Sequence, residues 1–286
     1  MKNVEFGFVV LHYKTYEMTK LCVQQLLLLY QNENIKVVIV DNGSGNQSGE
    51  QLKKDYIAND QVKVILNNKN LGFANGNNIG FDYLKRNYHC KYMVVMNNDI
   101  LLQDALMLSK IKKIDNDIGF DVLGPDIYSL VKNNHQNPLR KEEYTIEQVK
   151  SLIRHHEVIQ RLFPMYYLKK IMSHAQGKRS KDNIFNRRKY IINPVLHGAI
   201  YIFGSHFITN REYAFNPKTF LYSEEDILYI ECKRNKYKML YDPEIQAIHL
   251  EHFSTNASFS SRYKKMQFVN KEIIKSLKIL MNEMEI

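Results

Sequence analysis

Residues 36–44 read KVVIVDNGS, an apolar run that passes directly into a carboxylate and a tight turn. Other β-rich runs alternate with helical patterns along the first hundred residues, at 6–11, 19–30, 62–66, 73–88 and 92–96. This alternation predicts an α/β fold with a mostly parallel sheet covered by helices. Because ligands of such sheets bind at the carboxyl ends of the strands, Asp41 is the first candidate for a binding site.

The pattern is less regular after the first hundred residues. We predict a helix, a strand that ends at Gly124-Pro125, an apolar run, a helix, two short strands and a final amphipathic helix, at 105–114, 119–123, 197–204, 224–235, 238–241, 246–250 and 264–284. The apolar face of the last helix is typical of a core contact or a dimer interface, so a homodimer through this helix is one expectation.

The composition favours a folded protein with an anionic partner. The 286 residues are 44% hydrophobic and carry 40 Lys and Arg against 30 Asp and Glu, a net charge of +10. Such a surplus suits nucleotide phosphate, nucleic acid or lipid headgroups. Thirteen basic and five acidic side chains lie within residues 140–190, so most of the surplus is in this segment, which we call the basic insert.

The cysteines and the apolar runs indicate a cytoplasmic protein. Cys22, Cys90 and Cys232 are too few and too widely spaced for a disulfide framework or a thiolate metal site. The start, MKNVEFGFVVLHY, lacks the long apolar core of a secretory signal peptide. No stretch reaches the ~18 apolar residues that a membrane span needs.

Two polar motifs follow β-rich runs in the first hundred residues. Asp41 is followed by Asn42-Gly43-Ser44, which suits either hydrogen bonding to a ligand or an Asx-type turn. Residues 67–80 read NNKNLGFANGNNIG, with glycines four residues apart. This spacing matches neither the dinucleotide-binding glycine motif nor the P-loop, which weakens a Rossmann interpretation.

A third motif offers a possible metal ligand. The run YMVVM ends in Asn97-Asn98-Asp99, and a carboxylate there could hold Mg²⁺ or Mn²⁺ on a diphosphate. The alternative is a helix N-cap, since a single carboxylate is a sparse metal site.

In this order, VVLHYKTYEMT, IVDNGS, NNKNLGFANGNNIG and MVVMNND resemble the nucleotide-binding half of family 2 glycosyltransferases of the GT-A fold. The family includes bacterial rhamnosyl-, glucosyl- and galactosyltransferases. Downstream, His197-Gly198-Ala199 is similar to its acceptor-side strand, and residues 220–252 resemble its catalytic helix, following strand and terminal histidine. The resemblance covers residues 4–256 except the basic insert.

The resemblance implies a domain organisation and a set of substrate ligands. A GT-A domain would span residues 1–260, with a nucleotide-binding half at 1–100 and an acceptor half at 101–260, and residues 261–286 would form the C-terminal helix. Asp41 would contact the uracil or thymine end of the donor. The other implied substrate-binding residues are Asn42, Asn70, Gly72, Asn75, Asn78, Asn98, His197 and Gly198.

The resemblance also implies metal and catalytic residues. Asp99 would be the metal-binding last position of a DxD-like motif whose first position is Asn97 here, and His249 would bind metal or diphosphate. A hydrogen-bonded core histidine is the alternative for His249.

The implied catalytic base lies in Glu224-Glu225-Asp226, at the start of a predicted helix. Counting back from Lys236-Tyr237 favours Glu225, with Glu224 before it, while another register gives Asp226. The alternative to a catalytic role is an acidic first turn stabilised by the helix dipole.

The function implied is inverting transfer of a sugar from a UDP- or dTDP-linked donor. The acceptor would be a glycan or polyprenyl-linked oligosaccharide in capsule, exopolysaccharide or O-antigen assembly, with Mg²⁺ or Mn²⁺ as cofactor. The alternatives are a nucleotidyltransferase, or a non-catalytic basic protein that binds RNA or anionic membrane. No nucleic-acid-binding module is recognisable, so we expect no nucleic-acid partner.

The basic insert suggests where a membrane could be contacted. Residues 162–172 read LFPMYYLKKIM, with large apolar side chains beside Lys169 and Lys170. Such a helix can lie in a membrane interface, which would place the protein peripherally at the inner face of the cell membrane. A solvated charged face over a packed helix is the equal alternative.

Overall fold

The computed structural model describes residues 2–173, 189–251 and 261–286. Its first part contains β1 (Lys2–His12), α1 (Tyr16–Leu29), β2 (Ile35–Asp41), α2 (Ser48–Asp55), β3 (Val62–Leu66), α3 (Gly72–Asn87) and β4 (Tyr88–Asn97). These are the strands and helices predicted for the first hundred residues, with α2 in addition.

The other described residues contain more elements than the first part. They are β5 (Ile100–Leu102), α4 (Met107–Asp117), β6 (Val122–Ser129), β7 (Asn134–His135), α5 (Ile146–Arg161), α6 (Phe163–Ser173), β8 (Ile191–Ile192), β9 (Ile200–Gly204), α7 (Ser205–Asn210), α8 (Glu224–Arg234), β10 (Met239–His249) and α9 (Arg262–Glu285). Residues 174–188 of the basic insert lie outside the described residues.

One sheet runs through both parts, in the order β3-β2-β1-β4-β9-β6-β10-β5. The strands β3, β2, β1 and β4 are parallel, as the alternation with helices predicted. After them, β9 runs antiparallel between β4 and β6, and β5 is an antiparallel edge strand on β10. Because β1, β2, β4, β6 and β10 point the same way, their carboxyl ends share one edge of the sheet.

The central strands are buried on both faces because helices cover both. Phe8 and Val10 pack in one cluster with residues of α1 and α4, whereas Val9 packs in another with residues of α3, α7 and α8. This division follows the period of two along a strand. It explains why β2 and β4 are continuous apolar runs.

Two strand predictions beyond residue 100 were wrong. The strand predicted to end at Gly124-Pro125 continues to Ser129. Proline is tolerated there because β9 pairs only with Val122 and Leu123, so no ladder hydrogen bond to β9 is lost at Pro125. The strands predicted at 238–241 and 246–250 form one strand, β10, whose register on β6 shifts between Asp242 and Gln246.

The C-terminal helix α9 packs against its own chain. Leu277 and Leu280 are buried in a cluster with Val149 and Ile153 of α5 and Ile227 of α8. The apolar side of α9 is therefore core, one of the two predicted possibilities, and a homodimer through this helix stays a prediction. Within the described residues, no helix is both long and apolar enough to span a bilayer.

Candidate active site

Asp41 ends β2 and is turned toward the protein interior. It is 4% exposed, and its Oδ1 accepts hydrogen bonds from the Ser44 backbone N–H at 3.2 Å and from the Ser44 hydroxyl. Its Oδ2 lies against Gly49, where a Cβ would come within 2.3 Å. Burial raises the pKa of this carboxyl. These contacts close the turn at residues 41–44 through the N–H three residues on instead of the Asx-type bond two residues on, and a role in binding the nucleotide base stays a prediction.

Asn42 attaches the end of β2 to the loop before α3. Its Nδ2 donates to the carbonyl oxygen of Gly72 at 2.9 Å and to Asn70 Oδ1 at 3.1 Å. Its Oδ1 accepts from the Leu71 N–H at 3.0 Å, and Asn70 Oδ1 also accepts from the Gly72 N–H at 2.8 Å. The predicted substrate residues Asn42, Asn70 and Gly72 therefore form one hydrogen-bonded group.

The start of α3 contacts residues 215–220 in the second part of the chain. Gly72 has φ +82, and a Cβ there would lie 2.2 Å from the Phe220 carbonyl oxygen. The side-chain amides of Asn75 and Asn78 donate to the carbonyl oxygens of Pro217 at 2.9 Å and Phe215 at 2.7 Å. Both asparagines thus brace the two halves of the chain, and a substrate-binding role for either stays a prediction.

A buried histidine that the sequence motifs did not single out lies at the end of β1. The ring nitrogens of His12 are 2.7 Å from the Thr19 hydroxyl and 2.7 Å from the Ser48 hydroxyl. Asn98 Nδ2 donates to the same Thr19 hydroxyl at 2.7 Å. Burial lowers the pKa of His12 to about 4, so the ring is neutral at physiological pH.

Asp99 and His249 meet beside this group. His249 Nε2 lies 3.3 Å from Asp99 Oδ1, and the other ring nitrogen, Nδ1, is 2.7 Å from Gln136 Oε1. Asp99 Oδ1 is buried and accepts no hydrogen bond. The amide oxygen of Gln136 accepts the proton of Nδ1 of His249, so Nε2 is the ring nitrogen that is turned toward Asp99.

His197 continues the line from His249 toward α8. Its ring centroid is 6.0 Å from that of His249, in an edge-to-face arrangement. Its Nδ1 accepts from the Ala199 N–H at 3.1 Å, and its own backbone N–H donates to Asn137 Oδ1 at 2.9 Å. Burial, with the His249 and Lys132 charges, lowers the pKa of His197 to about 3, so this ring is also neutral.

Glu225 lies in the first turn of α8, which follows two left-handed residues, Tyr222 and Ser223. Its carboxylate fits over Gly198, where a Cβ would come within 2.6 Å of Oε1. Burial raises the pKa of Glu225, while the Gly198 N–H stabilises its charged form. Asp99, His249, His197, Gly198 and Glu225 thus form a continuous group, which we call the catalytic cluster.

The two carboxyls beside Glu225 have different surroundings. Asp226 forms an ion pair with Arg140, whose guanidinium also stacks 3.9 Å from the centre of the Tyr144 ring. Glu224 is 6% exposed and its Oε1 accepts no hydrogen bond. Burial, followed by the charge of Glu225, raises the pKa of Glu224 to about 8, so it is protonated at neutral pH.

A short segment, residues 136–140, organises the catalytic cluster. Its Gln136 contacts His249, its Asn137 binds the backbone of His197, and its Arg140 pairs with Asp226. No motif singled out this segment, and Arg140 was counted with the basic insert. The backbone of residues 139 and 140 pairs with Val195, and the Gln136 N–H donates to the Ile127 carbonyl oxygen, which brings the segment to the site.

The arrangement of Asp99 and His249 fits a divalent cation bound jointly with substrate. A carboxylate oxygen and an imidazole nitrogen face each other at 3.3 Å, and Gln136 orients the ring from behind, as is usual for metal-binding histidines. Among the residues that the structure describes, no group of three or more His, Cys, Asp or Glu side chains could hold a metal. Further ligands would come from phosphate and water, which suits Mg²⁺.

Comparison with protein families identifies the chain. The model of the family described as Glycosyl transferase family 2 matches residues 8–191. The chain belongs to glycosyl transferase family 2. Family membership makes the protein a glycosyltransferase, the first of the functions that the sequence left open. The match ends before α8, so the roles of Glu225 and His249 stay predictions.

Solved structures confirm the GT-A fold. Crystal structures of S. aureus TarS residues 1–349 resemble this chain at 12% sequence identity, with a TM-score of 0.55 over 99% of this chain and 71% of that one. For the complex of TarS with UDP-GlcNAc the TM-score is 0.54, over 93% of this chain and 66% of that one. No curated protein sequence matches the chain.

Proposed function

We propose that this glycosyltransferase moves a sugar, with inversion, from a nucleotide-sugar donor to an acceptor hydroxyl, using Glu225 as the base. The observation that carries the proposal is the contact of Glu225 with Gly198, which connects α8 to the pair of Asp99 and His249 through His197. A nucleophile and a leaving group bound across this cluster would lie between a base at one end and cation ligands at the other.

The carboxylate of Glu225 would remove the proton from the acceptor hydroxyl as its oxygen bonds to the anomeric carbon. The bond from that carbon to the phosphate oxygen breaks, and the nucleoside diphosphate leaves with the electron pair. General-base assistance of this kind contributes about 10² to 10⁴ in rate. Burial raises the pKa of Glu225, which makes the carboxylate a stronger base than an exposed one.

The neighbours of Glu225 favour it over the other two carboxyls. Asp226 is occupied by its ion pair with Arg140, which stabilises the charged carboxylate against the rise in pKa that burial causes. Glu224 holds its proton at neutral pH because its pKa is about 8, so it cannot accept another. This leaves Glu225 as the proposed base, because it lies over Gly198 and forms no direct ion pair among the described residues.

The opposite end of the cluster is suited to the leaving group. Asp99 and His249 would hold Mg²⁺ or Mn²⁺, which acts as a Lewis acid on the diphosphate oxygens and offsets their developing charge. The unpaired Asp99 Oδ1 supports this assignment because a buried carboxylate oxygen without a donor is costly unless a ligand satisfies it.

For the donor and the acceptor we propose classes of molecule instead of single compounds. TarS was crystallised with UDP and with UDP-GlcNAc, which supports a uridine or related pyrimidine donor here, UDP- or dTDP-linked. For the acceptor we retain a glycan or polyprenyl-linked oligosaccharide of a bacterial capsule, exopolysaccharide or O-antigen. The protein would then work in the cytoplasm, peripherally at the inner face of the membrane.

A donor panel tests the proposal. The purified protein is incubated with UDP-, GDP- and dTDP-sugars plus Mn²⁺, and the release of nucleoside diphosphate is measured with and without chelator. We expect slow hydrolysis or transfer with a pyrimidine donor, and loss of that activity in chelator. Release of pyrophosphate, or no turnover of any donor, would contradict the proposal.

Two isosteric variants separate the base from its neighbour. Glu225→Gln should lower transfer by at least about 10²-fold while donor binding, measured by calorimetry, is retained. Glu224→Gln should keep most of the rate, because the amide resembles the protonated carboxyl that is already present. A fully active Glu225→Gln variant would remove Glu225 from the role of base.

A further inference from the structure

Four large apolar side chains at the start of α6 and along it are exposed to solvent. Leu162, Met165, Leu168 and Ile171 are 47%, 68%, 61% and 47% exposed. The Leu162 carbonyl oxygen accepts from the Tyr166 N–H, so Leu162 lies directly before the first turn of α6. On a helix with 3.6 residues per turn, steps of three residues turn by about 60°, so these side chains spread over about half of the circumference, with Met165 and Leu168 at the centre. We call these four residues the α6 stripe.

The orientation of α6 is fixed by its other side. Phe163 is 1% exposed, and its ring packs edge-to-face on Tyr263 at 5.0 Å between centroids. Tyr167, four residues on, packs on the same Tyr263 ring at 5.0 Å. The aromatic side of α6 is therefore held against the start of α9. The α6 stripe points outward because of this packing.

The α6 stripe differs from the other exposed apolar side chains. Ile57 and Leu28 are more exposed, at 82% and 69%, but Ile57 lies in a turn, and Leu28 shares α1 with a single other exposed large apolar side chain, Leu21 at 48%. Single exposed apolar residues are normal on soluble proteins, whereas a contiguous apolar patch marks a surface that binds something.

The charges around the stripe favour an anionic partner. The helix α6 carries Lys169 and Lys170 and no acidic residue, and Arg161 precedes it. The acidic Glu157 at the end of α5 forms an ion pair with Lys278 at 2.7 Å. A second copy of the same surface would bring lysines against lysines, which disfavours self-association.

We propose that α6 docks on the surface of an anionic lipid bilayer. The α6 stripe would enter the boundary between headgroups and acyl chains, and Lys169 and Lys170 would lie at the level of the headgroups, as in amphipathic interfacial helices. The proposal stands independently of the assigned chemistry, because none of these residues belongs to the catalytic cluster.

The α6 stripe lies close enough to the catalytic cluster for membrane docking to bring the cluster near a membrane-borne acceptor. The helix α5 packs through Val149 and Ile153 against Ile227, in the first turns of α8, and its 16 residues span about 24 Å. Because α6 follows the far end of α5, docking through α6 would keep the catalytic cluster within a few tens of ångströms of the bilayer. A membrane-borne acceptor is within reach at that separation.

Vesicle binding of the full chain tests the proposal. Wild type is sedimented with phosphatidylcholine vesicles, with and without phosphatidylglycerol. We expect binding to the anionic vesicles and about tenfold weaker binding to the neutral ones. The double variant Met165→Ser, Leu168→Ser should bind at least about tenfold more weakly, since two apolar side chains are lost from the contact.

The matched control carries the same change elsewhere. Leu28→Ser, Ile57→Ser removes two apolar side chains that are at least as exposed, and it should bind like wild type. Thermal unfolding checks that each variant is folded, and the single change Met165→Ser replaces the double variant if that one is unstable.

Three outcomes would overturn the proposal. Wild type could fail to bind anionic vesicles, the α6 variant could bind as well as wild type, or both double variants could lose binding equally. A fourth outcome assigns another occupant: if wild type is a dimer in the absence of lipid and the α6 variant is a monomer, the stripe is covered by a second copy of the chain.

Discussion

Two groups of polar residues at the carboxyl edge of the sheet are stabilised differently. At the ends of β1 and β2, His12 and Asp41 are hydrogen-bonded to neighbours within the first hundred residues. Around the catalytic cluster, buried oxygens of Asp99 and Glu224 accept no hydrogen bond. A buried polar atom without a partner costs free energy, which a bound ligand can offset. The first group is thus satisfied within the fold, and the second leaves acceptors for the ligands proposed above.

This comparison predicts that protonation of His12, a member of the first group, lowers the free energy of unfolding. Its pKa is about 4 in the folded chain and near 6.5 when unfolded, so the unfolded state binds more protons between these values. Stability should therefore fall as the pH falls from 6.5 to 4, by about 3 kcal/mol from this residue. Urea unfolding at several pH values measures the slope, which should be smaller in His12→Asn.

The control for that experiment is His89→Asn, which changes an exposed histidine on β4. It should keep the wild-type dependence of stability on pH. An unchanged slope in His12→Asn would show that the histidine is not held neutral and would remove the contrast between the two groups.

A substitution in the catalytic cluster should change the reaction rate instead of the free energy of unfolding. Gly198→Ala places a methyl group 2.6 Å from Glu225 Oε1, so the carboxylate must move. A displacement of about 1 Å can cost 10²-fold in rate, and we expect a loss of about that size in kcat with donor binding retained. Steady-state kinetics with the best donor and donor calorimetry provide the two readouts. Full activity would mean that the contact does not position Glu225.

A substitution where the two halves of the chain meet should again change the free energy of unfolding. Gly72→Ala combines a left-handed φ with a Cβ 2.2 Å from the Phe220 carbonyl oxygen, so the free energy of unfolding should fall by about 2 kcal/mol or more. Gly45→Ala is the control because it has a similar φ of +66 and nothing within 4 Å. It should cost only about 1 kcal/mol. Equal losses would show that the contact with Phe220 is unimportant.

The smallest expected effect is a shift of the pH–rate profile in Arg140→Met. Arg140 stabilises the charged forms of Asp226 and Glu225, so its loss raises both pKa values. A base works when ionised, so activity is lost as the pH falls through its pKa. The acid limb of the rate profile should therefore move up by about one pH unit. Lys233→Met, which breaks the ion pair with Glu143, should leave it in place.

The sequence predicted the first half well because its signals are local. Each strand of that half is a run of apolar residues, and each polar motif follows a strand directly, so Asp41 and Asp99 could be placed from their neighbours along the chain. The strand that continues past Pro125 was missed because tolerance for proline depends on whether β9 pairs at that position. That pairing is invisible in the sequence.

The site in the second half depended on contacts between distant residues. Glu225 and Asp226 are adjacent and chemically similar, so sequence position alone could not rank them. The structure distinguishes their surroundings, because Arg140 lies 86 positions from Asp226 and pairs with it, whereas Glu225 lies over Gly198. The bracing roles of Asn75 and Asn78 likewise arise from contacts 142 and 137 positions away.

The sequence by itself therefore determined the family resemblance, the alternation of strands and helices and the candidate carboxylates, because periodicity and turn chemistry act over a few residues. Only the tertiary structure decided which carboxylate is paired, which histidines are neutral and which side of α6 faces outward. Pairing, desolvation and exposure are properties of what packs around a residue, and here most of those neighbours come from distant parts of the chain.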